Sequence, residues 1–380
     1  MFAQFFLQKL GIRQWLAPSG VKHRFLSSLA GASDFECDEI VDDLIAQKKD
    51  DELRCAIARL EGEFNPESML SMRSFFALRR APVISTGSLT LDRALGIGGL
   101  PRGRMIEIYG REASGKTTLA LHVIKEAQKL GGYCAFLDAE NALDTSMAES
   151  LGVNLENLLI APPDSAENML SMVDTLTKSD SVDVIVIDSV AALTPKREID
   201  SPMFACHGSI HKRVLSQALR RIHHTLSRTK TLLILLNQVR HRSASPLGFQ
   251  QTEEGTSGGN ALKFYSAVRL RTCRRGLFKE KNEFEGVEVC VQIMKNKLAP
   301  IIDKAADVKI RFGKGYCVGE EVFRLACEYG MIVKDGFQYS VNGKLFVDES
   351  SAIEYLQSNK HLLDNTFLTL RSEMFPWTIV

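Results

Sequence analysis

The chain has 380 residues, 45% of them apolar and 24% charged, which is the composition of a globular protein with a sizeable core. Its 47 Lys and Arg against 46 Asp and Glu leave a formal net charge of +1, so no global charge argues for nucleic acid and any basic surface has to be local. No apolar run approaches the length of a membrane span. The eight cysteines (37, 55, 134, 206, 273, 290, 317 and 327) form no C-x-x-C pair. That argues against a zinc site and a disulfide framework, and for a reducing interior. Cys134 and Cys290 sit inside apolar runs and read as buried thiols.

Residues 1–33 carry Lys9, Arg13, Lys22 and Arg24 and no acidic residue, while Phe5, Phe6, Leu10 and Trp15 can share one helix face. A basic, acid-free, amphipathic start reads as an organelle transit peptide over about 1–35, mitochondrial before plastid. A basic arm for DNA or a partner is the alternative. Residues 36–50 read as a linker. From Asp51, Leu53, Ile57 and Leu60 recur at helical spacing, and the helix should stop near Asn65-Pro66. The region 51–80 thus holds a lone helix that needs its own domain or a neighbouring subunit to pack on.

The core follows from residue 81. Met105-Ile-Glu-Ile-Tyr109 reads as a buried parallel strand, and Leu119, Ala120, Val123, Ala127 and Leu130 as a helix ended by Gly131-Gly132. Between them Gly110-Arg111-Glu112-Ala113-Ser114-Gly115-Lys116-Thr117-Thr118 fits G-x-x-x-x-G-K-[ST], the phosphate-binding loop. Gly110 and Gly115 let the backbone approach a ligand without a Cβ clash. The helix start supplies N–H donors and partial positive charge, Lys116 neutralises β- and γ-phosphate charge, and the Thr117 hydroxyl suits Mg²⁺.

Further strands end in polar residues. Tyr133 to Leu137 leads to Asp138-Ala-Glu140, which in an open parallel sheet faces the nucleotide. Glu140 is the candidate for orienting or activating an attacking water. Asp164-Ser-Ala-Glu167 resembles a capping box opening a helix that reaches Lys178. Val182 to Ile187 closes on Asp188, which suits Mg²⁺ held through water. Thr231 to Leu236 closes on Asn237-Gln238, and a neutral amide at Gln238 can sense a γ-phosphate. Tyr265 to Thr272 and Val287 to Met294 continue the sheet towards an exposed edge. The order of elements is that of an α/β core with a mostly parallel sheet flanked by helices.

Several runs together resemble the bacterial RecA recombinase family: Ile84-Ser-Thr-Gly-Ser-Leu89, Gly98-Gly-Leu-Pro101, Asp138-Ala-Glu-Asn-Ala-Leu-Asp144, Val184 to Pro195, Gly258 to Tyr265 and Lys295-Asn-Lys297. The likeness runs from about Asp51 to about residue 375. It implies a RecA-like P-loop ATPase core over 81–315, with an N-terminal helix that packs on a neighbouring subunit and a small α+β C-terminal domain over 316–380. It implies polymerisation on single-stranded DNA as a helical filament, with ATP and Mg²⁺ between subunits, pairing with double-stranded DNA, and no membrane partner.

Carried over by position, the resemblance makes Glu140 the catalytic glutamate and Gln238 the γ-phosphate sensor, and sets Asp144 at the adenine edge. Lys295 and Lys297 become the pair that reaches ATP on the adjacent subunit; by themselves they read as a solvated edge. Phe264 becomes a residue inserted into the next subunit, where the default is a core aromatic. Two loops, about 196–213 and 239–257, resemble the DNA-contacting loops, with Lys196, Arg197, His207, Arg213, Arg240, Arg242 and Phe249 as candidates.

This chain departs from the bacterial pattern in three places. Its second loop is a few residues longer and lacks a Gly-Asn-Pro step, Met147 stands where a tyrosine usually stacks on adenine, and the sequence shows no acidic tail. The implied activity is DNA-dependent ATP hydrolysis coupled to homologous pairing and strand exchange in repair of organelle DNA. A hexameric helicase or branch-migration ATPase is the alternative enzyme, and a DNA-coating protein with a purely regulatory ATP site the alternative from another class.

Overall fold

The computed structural model describes residues 51, 52, 55, 82–202, 210–242, 253–280, 283–301, 303–335 and 338–376. Asp51, Glu52 and Cys55 are helical, where the sequence predicts a helix; the expected transit peptide, the linker and most of the region 51–80 lie outside the described residues. From Pro82 the chain runs through β1 (Val83–Ile84), α1 (Leu89–Leu95), β2 (Leu100–Pro101), β3 (Met105–Gly110), α2 (Lys116–Lys129), β4 (Cys134–Asp138), α3 (Thr145–Ser150) and β5 (Leu158–Ala161). It continues through α4 (Ala166–Ser179), β6 (Val184–Asp188), α5 (Lys196–Ile199), α6 (Ile210–Leu226), β7 (Leu232–Arg242), β8 (Glu253–Thr256) and α7 (Asn260–Tyr265). Then come β9 (Val268–Glu280), β10 (Glu283–Asn296), β11 (Ala305–Arg311) and β12 (Gly315–Tyr316).

Nine of these strands lie side by side in the order β12-β11-β10-β9-β3-β7-β6-β4-β5, and β8 pairs with β7 as the tenth. The run from β9 to β5 is parallel, and β9 through β12 are antiparallel. The central strands are continuously apolar because helices cover both faces. Alternate residues supply two separate cores. Val184, Val186, Ile234 and Leu236 pack with Leu119, Val123 and Ile124 of α2. Ile185, Ile187, Leu233 and Leu235 pack with Met169 and Val173 of α4 and Leu219 and Ile222 of α6. Among the described residues no helix is long and apolar enough to cross a membrane.

The elements differ from the sequence expectations at their ends. The cap of α4 is Ser165, whose side chain accepts from the Asn168 N–H, not Asp164. Glu167 is therefore free to accept the backbone N–H of Lys196 at 2.8 Å, tying α4 to the first turn of α5. Tyr265 ends helix α7, and β9 begins three residues later, because the Gly258-Gly259 turn starts a helix that runs up to the strand. Strand β7 runs on to Arg242 and pairs antiparallel with β8, Val239 opposite Thr256. The two arms of the second expected loop are thus a β ladder.

Beyond β12 come α8 (Val318–Glu328), a three-stranded sheet of β13 (Val333–Asp335), β14 (Gln338–Val341) and β15 (Lys344–Phe346), then α9 (Glu349–Ser358) and α10 (Lys360–Met374). They surround a third core that also takes in Leu89 of α1. Arg371 of α10 reaches Asp92 of α1 at 2.7 Å and the Gly98 carbonyl at 2.6 Å. The fully buried Asp92 carboxylate also accepts from Ser85 Oγ and from the N–H and hydroxyl of Thr86.

His122 of α2 lies flat on Tyr316, ring centroids 3.7 Å apart, and its Nε2 accepts the Tyr316 N–H at 3.2 Å. Burial, helped by Lys125 and Lys129, pushes its pKa down to about 3. An unfolded histidine titrates near 6.5, so between the two values the unfolded chain binds the extra proton and stability falls with falling pH. The slope from this residue approaches about 1.4 kcal/mol per pH unit. Denaturant titrations between pH 6.5 and 4.5 should show His122→Gln losing stability less steeply than the parent chain. Parallel curves would mean that His122 is not the buried neutral group described.

Candidate active site

The site lies where the parallel strands end. In register, Gly110 stands beside Gln238 of β7 on one side and Thr272 of β9 on the other, and Asp138 stands beside Asp188. The ends of β3, β4 and β6, with Gln238 where the parallel pairing of β7 stops, therefore bring the phosphate-loop motif, two acids and the amide to one edge of the sheet. The loop occupies the turn from β3 to α2. Ala113 and Gly115 have positive φ (53° and 82°), and Gly115 caps α2 with no side-chain hydrogen bond to its first N–H groups. A Cβ on Gly110 would lie 2.4 Å from the Thr272 carbonyl, so only glycine fits there. Ser114 is buried; its hydroxyl lies 2.6 Å from the Arg111 carbonyl and 2.7 Å from Thr272 Oγ1, which braces the loop against β9.

Lys116 opens α2, and its ammonium donates to the carbonyls of Arg111 (2.8 Å) and Gly110 (3.3 Å). Burial lowers its pKa, against the attraction of Asp188, Glu140 and Glu112. Thr117 donates to Asp188 Oδ2 at 2.8 Å, and Thr118 is buried behind it. Burial pushes the Asp188 carboxyl up to about 6, with Glu140 and Asp138 adding to the rise and the Thr117 hydroxyl and Lys116 opposing it. A hydroxyl beside converging carboxylates is a hard oxygen set of the kind that suits Mg²⁺, with Thr117 and Asp188 as the residues to hold it.

Glu140 is exposed at the mouth of the site. Its Oε1 accepts from Ser189 Oγ and, at 3.0 Å, from Gln238 Nε2. Asp138 shapes the turn that presents Glu140, taking the N–H groups of Glu140 (3.1 Å) and Leu143 (2.9 Å). Asp144 caps α3, its Oδ1 accepting from the Ser146 N–H (2.9 Å), the Ser146 hydroxyl (2.7 Å) and the Met147 N–H (3.3 Å). These bonds hold its carboxyl below the usual range, the Ser146 hydroxyl contributing most. Met147 stands exposed on the same short helix.

Beneath the strand ends is a polar cluster that sequence reading passed over. Asn237 is fully buried; its amide donates to Glu107 (3.1 Å) and to the Ser257 carbonyl (2.9 Å), and its oxygen accepts the Gln238 N–H (2.9 Å). Glu107, also fully buried, pairs with Arg269 at 2.5 Å, and the Arg269 guanidinium lies over the Tyr109 ring. A lone glutamate inside Met105-Ile-Glu-Ile-Tyr109 and an arginine at the start of β9 were the available signals.

Lys295 and Lys297 do not join the loop. Lys295 donates to the carbonyls of Lys263 (2.5 Å) and Phe264 (3.3 Å), and Lys297 to that of Phe264 (3.1 Å). Burial, then Lys297 and Arg269, lower the Lys295 pKa. Phe264 itself is 71% exposed on α7, so it is not a core aromatic of this chain. Lys196 and Arg197 are exposed on α5, and Arg213 is exposed on the first turn of α6. The first expected loop is therefore helical at both ends, since Ile210, Val214 and Leu215 begin the apolar stripe of α6. Arg240 and Arg242 fall on β7, opposite Gly255 and Glu253. His207 and Phe249 lie outside the described residues.

The model of the RecA N-terminal domain family matches residues 51–317. The chain is similar to "DNA repair protein recA homolog 3, mitochondrial" of Arabidopsis thaliana, 49% identical over 313 residues that cover 82% of this chain and 73% of the relative. It is also similar to "Protein RecA" of Acidiphilium cryptum, 45% identical over 313 residues, covering 82% and 90% of the two chains. For "Protein RecA" of Thioalkalivibrio sulfidiphilus the figures are 43% over 325 residues, 85% and 94%.

The buried Glu107–Arg269 pair yields a direct test. Arg269→Ala leaves a buried carboxylate without its counter-ion, which should cost about 3–5 kcal/mol. Urea unfolding of the variant would measure it, and a loss under about 1 kcal/mol would mean that the pair is not holding the strand ends.

Proposed function

Because the chain belongs to the RecA family, we propose that it is an ATP-dependent recombinase. It forms helical filaments on single-stranded DNA and promotes homologous pairing and strand exchange with duplex DNA in the repair of an organelle genome. The observation that carries this reading is the meeting of Lys116, Thr117, Asp188, Glu140 and Gln238 at one edge of the sheet.

The residues divide the work as follows. The loop N–H groups and Lys116 cradle the phosphate chain. Thr117, and Asp188 through water, would hold a magnesium ion, which when bound would neutralise phosphate charge. Glu140 orients the attacking water and accepts its proton. Gln238 bonds Glu140 through its Nε2, so the amide that senses the γ-phosphate also positions the glutamate. Strand exchange is non-covalent, and hydrolysis is the sole covalent step.

Lys295 and Lys297 sit at the far side of β9 from the loop and bond to α7. That placement supports a role on a neighbouring subunit's nucleotide, where a charge delivered only when two subunits close acts like an arginine finger. Exposed Phe264, beside the lysine contacts, supports the same face as the subunit interface. Lys196, Arg197, Arg213, Arg240 and Arg242, with His207 and Phe249, supply the DNA contacts in this reading. The mitochondrial relative and the basic, acid-free start of the chain support an organelle location, read here as the mitochondrion with the chloroplast as the alternative.

Electron microscopy of the pure protein with single-stranded DNA and a non-hydrolysable ATP analogue should show helical filaments; rings would favour a hexameric helicase. Lys295→Ala should leave nucleotide binding by the monomer intact and cut DNA-stimulated turnover on the order of 10³-fold. Turnover at the parent rate would remove the lysine from the adjacent site.

A further inference from the structure

Two cysteines stand opposite one another in the antiparallel hairpin of β9 and β10, Cys273 facing Cys290 in register. Both are free thiols, Cys290 buried and Cys273 half-buried. Directly opposed residues in such a ladder have Cα atoms about 4.5–5.5 Å apart. A disulfide spans roughly 4.4–6.8 Å, most often about 5.5–6 Å, so these two can be joined with a small displacement of the paired backbones. Val289 and Val291 point into the core, which leaves Cys290 on the opposite face of the sheet with its partner.

The surroundings rank the two thiols. Cys273 lines a cavity of about 440 Å³ with Arg111, Arg271 and Arg274, beside Gly110 and Ser114 of the phosphate loop. The cavity gives a small oxidant a path to half-buried Cys273, whereas Cys290 is buried. Cys290 lies behind it, its Sγ 3.6 Å from Arg275 Nη2, while Arg275 also pairs with Asp307 at 3.0 Å. Burial raises the Cys290 thiol pKa, which suits a resolving thiol better than a first nucleophile.

We propose that Cys273 and Cys290 form a peroxide-sensitive dithiol whose closure into a cross-strand disulfide loosens the phosphate loop. In the first step the Cys273 sulfur attacks hydrogen peroxide. An S–O bond forms, the O–O bond breaks, and one water leaves with the thiol proton, giving a sulfenic acid. In the second the Cys290 sulfur attacks Cys273: the S–S bond forms, the S–O bond breaks, and the departing hydroxide takes the Cys290 proton as a second water. Two thiols lose two electrons to one peroxide and two waters result.

The route to the loop is one residue long. Thr272 precedes Cys273, bonds Ser114 through its hydroxyl at 2.7 Å, and presses its carbonyl against the space at Gly110 that no Cβ can enter. A bond drawn across the hairpin at Cys273 shifts the backbone on which that brace is built. This inference adds a thiol site to the nucleotide site proposed above, and only its coupling arm rests on that reading.

The experiment uses the full chain, reduced, then exposed to hydrogen peroxide, blocked with N-ethylmaleimide and digested without reductant. Mass spectrometry should find the peptides of Cys273 and Cys290 joined, and dithiothreitol should part them. In Cys290→Ser, dimedone should instead trap a sulfenic acid at Cys273. If both thiols of the parent chain stay open to alkylation after peroxide, or are bonded to other cysteines, the dithiol is overturned. A fluorescent ATP analogue should bind the oxidised protein about tenfold more weakly than the reduced, with recovery on reduction. Equal affinity in the two states overturns the coupling. No binding even to the reduced protein would instead count against the nucleotide site.

Discussion

A helix that begins without a side-chain cap is the constraint on which this site rests. The first N–H groups of α2 have no partner within the helix, and Gly115 has no side-chain oxygen to receive them. The sequence holds the start in place by other means. Val289 and Ile310 pack where a Cβ on Gly115 would sit, Ser114 is tied to Thr272, and Thr117 is tied to Asp188. Donors fixed in this way form an anion site before any anion arrives, which lowers the ordering cost of binding. The stability that a capping serine or aspartate would add, about 1 kcal/mol, is given up for it.

The strand ends need comparable support, because the chemistry requires charged groups at the rim of an apolar sheet. Asn237 and Glu107 provide it from below. A fully buried carboxylate is costly unless paired and hydrogen-bonded, and Glu107 has both Arg269 and the Asn237 amide. Through Asn237 the same cluster fixes the Gln238 backbone and the Ser257 carbonyl at the end of β8. In the proposed reading Gln238 faces the γ-phosphate and β8 leads out of the second DNA loop. The buried amide is then a physical link between the two, the sort of two-ended contact through which one site can bias another.

Much of this was legible in the chain because the strongest signals were local. An apolar run, a glycine-rich motif and a helical period occur together around Gly110, and the strands ending in Asp138 and Asp188 marked their own carboxyl ends. What could not be read was how neighbouring strands stand relative to each other. Thr272 beside Gly110, Arg269 beside Glu107 and Cys273 beside Cys290 are register facts, and no window of sequence contains both partners. Boundaries failed for a related reason. Tyr265 continues an apolar pattern that suits either a helix end or a strand start, and only the Gly258-Gly259 turn upstream decides for helix α7. The 239–257 segment is a loop by its resemblance to the family, yet its described arms pair, Val239 to Arg242 against Glu253 to Thr256.

The placement of the lysines bears on the shared site proposed for two subunits. Within one chain Lys295 and Lys297 spend their donors on the last carbonyls of α7, a favourable position for cations at a helix C-terminus. That contact holds the helix bearing Phe264, whose ring is exposed. In the proposed filament, lysines that leave those carbonyls for a phosphate on an adjacent subunit withdraw their charge from the helix that presents Phe264. Nucleotide and helix α7 would then compete for the same two ammonium groups. In that proposed filament, closure of the seam and release of α7 would be one event, with its balance set by differential contacts rather than by distance.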